Sequence, residues 1–275
     1  MILRTKKRDS LSKGEYMKLE SILNTVIQGD CLEVMAGIPD KSIDMILCDL
    51  PYGTTACKWD TIIPFEPLWK EYKRIIKDNG AIVLTASQPF TSALVMSNPG
   101  MFKYEWIWDK MKGSGSMLAK IMPLKSHENI LIFSKEKTKY YPILEQADKK
   151  NIRDREKNFS KPLSNEIYGE LNGYVGTKED STRKPKTIIS ISSQSNELHQ
   201  GKRLHPTQKP VALFEYLIKT YTNEGDLVLD NCAGSGTTAI ACINIKRNYC
   251  LIEKELEYVE VCKTRIKNLR QDILI

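Results

Sequence analysis

Residues 226–242 read DLVLDNCAGSGTTAIAC. An apolar strand ends at Asp230, a loop carries Gly234 and Gly236, and a helix opens on Thr237 and Thr238. The next apolar run, RNYCLIEK at 247–254, reads as a second strand and ends in Glu253, 17 positions beyond Gly236 (253 − 236). Strand, tight loop, helix and strand in this order demand a parallel pairing with the helix packed over it. The glycines let the backbone approach a ligand closely, and the helix N-terminus offers free N–H groups to it. An acid at the end of the second strand is where nucleotide-binding α/β folds hold ribose hydroxyls. No G-K-[ST] follows the glycines, so the expected ligand is an adenosine compound held without a triphosphate grip.

The rest of the chain repeats this texture on both flanks of an irregular middle. SIDMILCDL, AIVLTAS, KYEWIWDK and NILIFSK read as strands; FEPLWKEYKRIIKDNG reads as an amphipathic helix closed by Gly80, and ALVMSNP as the end of another helix. KPVALFEYLIKTYT at 209–222 is a further helix. Alternation of this kind specifies a doubly wound, mostly parallel α/β sheet. Between Lys135 and Arg203 the periodicity fades, and 15 Lys/Arg stand against 10 Asp/Glu, an excess of five (15 − 10) within a net charge of +7. The expected organisation is a basic extension at 1–20, one half of the α/β domain at 21–134, an insertion at 135–203 and the other half at 204–275. With 275 residues at 41% hydrophobic content, one core is expected. No apolar run reaches the 18 residues of a membrane span, and the N-terminus has no secretory h-region. The seven cysteines show no C-x-x-C and read as small buried hydrophobes in a reducing cytoplasm, with no metal site expected.

A second stretch bears chemistry. In ILCDLPYGTT at 46–55, a buried strand runs into Asp49, followed by Leu50, Pro51, Tyr52 and Gly53. An acid, a proline-stiffened turn and an aromatic face meet at one point. Alone, the same residues serve equally as a strand-to-turn exit. The hexamer HPTQKP at 205–210, directly ahead of a helix, has no comparable turn explanation.

Together these pieces carry a resemblance. DLPY resembles the (D/N/S)PP(Y/F) signature of amino-group DNA methyltransferases, and DNCAGSGTT resembles their S-adenosylmethionine loop, commonly D-x-F-x-G-x-G. The signature comes first, then a variable basic insertion, then HPTQKPVALFEYLI before the cofactor loop. That order resembles the β class, whose motifs are circularly permuted. The resemblance runs from about residue 24 to 265, outside the insertion. Leu50 departs from it in place of the first proline, and Cys232 in place of an aromatic.

The resemblance implies a Rossmann-like methyltransferase fold, S-adenosylmethionine as cofactor and double-stranded DNA as substrate. It implies that Asp230, Asn231, Cys232, Ala233, Gly234, Ser235, Gly236 and Thr237 wrap the methionine moiety, and that Glu253 binds the ribose. Asp30, with Cys31 beside it, would reach the adenine amino group; as the first residue of DCLEVM, Asp30 also suits a helix N-cap. Thr207, Gln208, Lys209 and Pro210 would cap the methionine end. The exocyclic amine of a base is a poor nucleophile because its lone pair is delocalised into the ring. Asp49 accepting one N–H and the Leu50 carbonyl the other would pull the nitrogen toward tetrahedral geometry, while Tyr52 stacks on a base flipped from the duplex. Aspartate at position 49 implies adenine N6; cytosine N4, RNA, a protein glutamine, or a non-catalytic DNA-binding subunit are the alternatives. Trp106 and Trp108 read either as one face of a half-buried strand or as a pocket wall beside a loop at Gly113 and Gly115. His127 and Glu128 resemble a recurrent pair of the family with a structural role. The insertion is where β-class enzymes recognise their target, and STRKPKT within it reads as a phosphate contact or as a solvated loop. A homodimer and a cognate restriction endonuclease are further partners expected from the class, in a bacterial, archaeal or phage-infected cytoplasm.

Overall fold

A computed structural model of the chain describes residues 16–55, 57, 60–146, 164–165, 169–170, 182–193 and 208–273. The expectations for residues 1–15 of the basic extension, for Thr207 and for most of 147–203 lie outside these residues. Two compact units are present: residues 1–141 with 187–275, and residues 142–186.

The larger unit is built on an eight-stranded sheet. In chain order its elements are α1 (Leu19–Ile22), β1 (Thr25–Gln28), α2 (Cys31–Met35), β2 (Ile43–Asp49), α3 (Phe65–Ile75), β3 (Ile76–Ala86), α4 (Phe90–Ser97), β4 (Phe102–Ser114) and β5 (Lys125–Phe133). After the smaller unit come β10 (Ile188–Ser190), α5 (Val211–Tyr221), β11 (Leu227–Asp230), α6 (Thr237–Asn244), β12 (Asn248–Glu253) and α7 (Leu256–Ile273). The strands lie in the order β1-β12-β11-β2-β3-β5-β4-β10. From β1 through β3 every pairing is parallel; β5 runs antiparallel to both β3 and β4, and β10 joins β4 in parallel. The expected doubly wound, mostly parallel sheet is therefore what the chain forms.

Two-residue periodicity sorts the core. Ile46 and Cys48 of β2, Ile82 and Leu84 of β3, and Leu227 and Leu229 of β11 face the helices α2, α3 and α4. Met45 and Leu47, Ala81 and Val83, and Val228 face α5, α6 and α7. Successive side chains of a strand point to opposite faces, so a strand covered on both sides reads as one continuous apolar run. The strand order reverses between β11 and β2, since β11 leads through α6 to β12 on one side and β2 through α3 to β3 on the other. Crevices at such a point, beyond the carboxyl ends of the strands, are where α/β sheets bind ligands.

One expectation needs correction. The helix opening at Phe65 ends at Ile75, not at Gly80, and β3 already begins at Ile76. Gly80 instead lies inside β3, where a Cβ would stand 2.8 Å from the carbonyl oxygen of Asp44. The pairing jumps from Ile43↔Ile76 to Met45↔Ala81, so β3 bulges beside Asp44. That bulge lets Lys77 reach the buried Asp44 carboxylate at 2.7 Å.

In the smaller unit, Glu145–Gln146 (β6) pairs antiparallel with Thr182–Arg183 (β9), and Ser164–Asn165 (β7) with Gly169–Glu170 (β8). Arg183 and Glu145 form an ion pair at 3.0 Å. Among the described residues no helix is long and apolar enough to cross a membrane. Cys31, Cys48, Cys242, Cys250 and Cys262 are buried free thiols; Cys57 is exposed.

Candidate active site

A cavity of about 870 Å³ opens beyond the carboxyl ends of β1, β2, β11 and β12. Asp30 and Cys31, Asp49 to Tyr52, Gln208 and Lys209, Asp230 to Ser235, Thr237 and Glu253 all line it. Gly236 and Pro210 are not among its lining residues: Gly236 is the residue before α6, and Pro210 the buried residue before α5.

The glycine loop is held from three sides. Asp230 accepts from the Cys232 N–H at 3.1 Å and from the Thr238 hydroxyl at 2.5 Å. Burial pushes the Asp230 carboxyl up to about 6, against the lowering effect of those donors. Glu253 accepts the N–H of Gly234 at 2.7 Å through one oxygen and that of Glu255 at 2.9 Å through the other. Burial raises its carboxyl above the usual range, and the two N–H groups limit the rise. Arg265 of α7 donates to the Ser235 carbonyl and the Thr237 hydroxyl, both at 3.2 Å. Gly236 has φ +77°, and a Cβ there would stand 2.9 Å from Cys262 Sγ; only glycine takes both demands without strain. Asn231 accepts from the buried Tyr72 hydroxyl at 2.5 Å, tying the loop to α3.

Asp30 does cap α2, accepting the Leu32 N–H at 3.0 Å. Its other oxygen lies 3.6 Å from Lys254 Nζ, and the side chain still faces the cavity. The N-cap role and cavity exposure are thus compatible in one carboxylate.

At the end of β2, Asp49 gathers donors from far along the chain. Its Oδ1 accepts from the Thr85 hydroxyl of β3 and from the Tyr52 hydroxyl, the latter at 2.8 Å. Its Oδ2 lies 2.5 Å from Lys209 Nζ. Lys209 also lies 3.4 Å from Glu128 Oε2, and Lys110 is 3.3 Å from Glu128 Oε1. Four alternating charges from three strands and the segment before α5 therefore sit together at the cavity wall. Burial lowers the Lys209 ammonium, but Asp49 and Glu128 more than offset it and hold the group above the usual lysine value. The Tyr52 ring stacks on Phe90 with centroids 5.2 Å apart and planes 24° apart. Burial and the charges of Asp49 and Glu128 push its hydroxyl well above the usual tyrosine value.

Several of these residues carry no sequence signal. Asp60 accepts the N–H groups of Gly53, Thr54 and Thr55 at 2.8, 2.9 and 2.7 Å, organising the turn after Tyr52. Thr85, Lys110 and Arg265 likewise belong to no motif. Glu128, expected to be structural, faces the cavity between two lysines. Trp108 lines the cavity and donates its indole N–H to Ile191 at 2.8 Å, whereas Trp106 donates to the buried Tyr221 hydroxyl at 2.7 Å within the core.

Comparison with known proteins fits this arrangement. A family model described as DNA methylase matches residues 43–264. The type II methyltransferase M1.MboII of Moraxella bovis is 28% identical, over 86% of this chain and 94% of its own. M.HpaI of Haemophilus parainfluenzae is also 28% identical, over 88% and 73%. Among solved structures, the M1.HpyAVI complex with SAM superposes with a TM-score of 0.57 at 25% identity, covering 88% of this chain and 98% of that one. The cytosine-N4-specific PvuII DNA methyltransferase superposes at 0.60 with 17% identity, over 91% and 92%. The match spans most of the chain and includes both the Asp49 strand and the glycine loop, so this protein belongs to the N6/N4 family of DNA methylases.

Proposed function

We propose that this methylase transfers the methyl group of S-adenosylmethionine to the exocyclic N6 amine of an adenine turned out of double-stranded DNA. The observation that carries the proposal is the placement of the Asp49 carboxylate in one cavity with the glycine loop and Glu253. The aspartate itself favours adenine N6 over cytosine N4, for which the family signature uses serine.

The residues present suit the cofactor. The cavity is near the upper end of the range of about 300–1,000 Å³ usual for such sites, roomy enough for a nucleoside cofactor beside an extruded base. Glu253 and Asp30 present carboxylates for hydroxyl and amino groups, and Gln208 Oε1 is buried there with no partner among the described residues. S-adenosylmethionine, when bound, supplies a methyl group on a positively charged sulfur. The protein binds, aligns and dries the site. Asp49 and the Leu50 carbonyl accept the two N–H bonds of the amine. Phe90 backs one face of the Tyr52 ring, which stiffens it as a stacking surface. Asp60 fixes the turn through three main-chain donors, so acceptor and ring keep one geometry. The insertion at 135–203, which contains the compact unit 142–186, is proposed to read the target sequence. After its type II relatives, a cognate restriction endonuclease is the proposed partner system.

The test incubates the protein with labelled S-adenosylmethionine and unmethylated DNA and identifies the modified nucleoside. N6-methyladenine is expected; N4-methylcytosine would overturn the adenine assignment, and unlabelled DNA the catalytic one. Asp49→Ala should lower transfer by about 10²-fold or more, with cofactor affinity nearly unchanged. A residue serving only the turn would instead lose melting temperature and activity together.

A further inference from the structure

Lys209 is a buried lysine at the cavity wall. Its side chain is 8% exposed, with Nζ 2.5 Å from Asp49 Oδ2 and 3.4 Å from Glu128 Oε2. An ammonium in such a place costs several kcal/mol unless its partners repay the desolvation, so its seat against Asp49 is a strong constraint on both groups. An ionised carboxylate offers about four lone-pair positions. Thr85 and Tyr52 take two on Oδ1, and Lys209 takes one on Oδ2. One position remains, on the oxygen that Lys209 holds.

Resting on the reading of Asp49 as acceptor of the amine, we propose that Lys209 is the positioning residue of the methyl-acceptor site. It selects the Asp49 lone pair that receives the amine N–H and keeps that oxygen an acceptor. The groups facing the Asp49–Lys209 pair are Tyr52 from the turn after β2, Lys110 from β4, Lys125 and Glu128 from β5, and Asp230 from β11. Without the Lys209 cation, Asp49 and Glu128 become two partly buried carboxylates, with Lys110 paired to Glu128 alone. Such a pair holds a shared proton far more readily than two separated acids. A proton on Asp49 converts the remaining acceptor into a donor, and the amine then meets an O–H where it needs a lone pair.

The experiment measures single-turnover methyl transfer against pH, with unmethylated DNA and S-adenosylmethionine both saturating. Lys209→Met should lower the rate at neutral pH by about 10²-fold, the scale of losing one oriented polar group. The loss should shrink as pH rises, because the acid limb of the profile moves to higher pH. Lys209→Arg keeps the cation and should keep the limb in place. Lys209→Met with Glu128→Gln removes the second carboxylate and should move the limb back toward wild type, so a folding defect in the single variant does not hide the effect. Acting through Asp49, Lys209→Met should add almost nothing to Asp49→Ala. A wild-type pH profile in Lys209→Met, or a loss that adds in full to that of Asp49→Ala, would overturn the positioning role. Near wild-type transfer by Asp49→Ala would instead overturn the acceptor reading itself, which separates the two failures.

Discussion

Replacing Gly236 with alanine tests two physical demands at once. The backbone there has φ +77°, a left-handed conformation that costs a residue with Cβ about 1–2 kcal/mol. The new Cβ would also stand 2.9 Å from Cys262 Sγ, 3.3 Å from its Cβ and 3.4 Å from its Cα. The thiol cannot simply swing away, because it donates to the Gly234 carbonyl at 3.0 Å and the α7 backbone lies behind it. Overpacking of this kind costs about 1–3 kcal/mol. The expected total is about 2–5 kcal/mol, a large share of a stability of about 5–15 kcal/mol. Urea unfolding at constant slope reads it as a lower midpoint. In a Cys262→Ala background the 2.9 Å sulfur contact is gone while the φ requirement and the 3.3 Å contact to Cβ stay, so the increment should fall toward the backbone cost alone, about 1–2 kcal/mol. Calorimetric titration with S-adenosylmethionine should show weaker binding, since the same shift displaces the Gly234 N–H from Glu253. An equal increment in both backgrounds would refute the packing part; no loss in either would refute both.

Asp60→Ala should slow methyl transfer about tenfold or more, the lower end of losing oriented groups in a site, because the turn at 53–55 loses its acceptor. Melting temperature should fall as well, because Asp60 is a buried acceptor of three main-chain N–H groups; amide exchange at 53–55 reads the loosening. Burial pushes the Asp44 carboxyl up, but Lys77, the Leu227 N–H and Lys139 more than offset it and hold it below the usual range. A depressed folded value means that its stabilisation is present above the unfolded value of about 3.9 and is lost as pH falls through the folded one. Asp44→Ala should cost about 1–3 kcal/mol at neutral pH by leaving the buried Leu227 N–H without its acceptor, while the half-exposed Lys77 turns to water and Lys139 keeps Asp226; urea titrations should show a smaller gap between variant and wild type in acid.

The glycine loop was legible because its requirements are local: a strand that ends, a backbone that turns without Cβ, and a helix that starts within a few residues. The same holds for the Asp49 turn and for the alternation that specified a parallel sheet. Gly80 shows where locality misleads. Read alone it closes a helix, yet the chain places it in a strand against the Asp44 carbonyl, a neighbour that only the pairing of β2 with β3 supplies. The partners of Asp49 are likewise a product of tertiary structure. Thr85 lies 36 residues away and Lys209 160, so no spacing announces them. Sequence patterns record what each residue needs from its own stretch of backbone and whether it is buried. Which charge meets which is decided when the sheet reverses order between β11 and β2 and brings distant strand ends to one crevice.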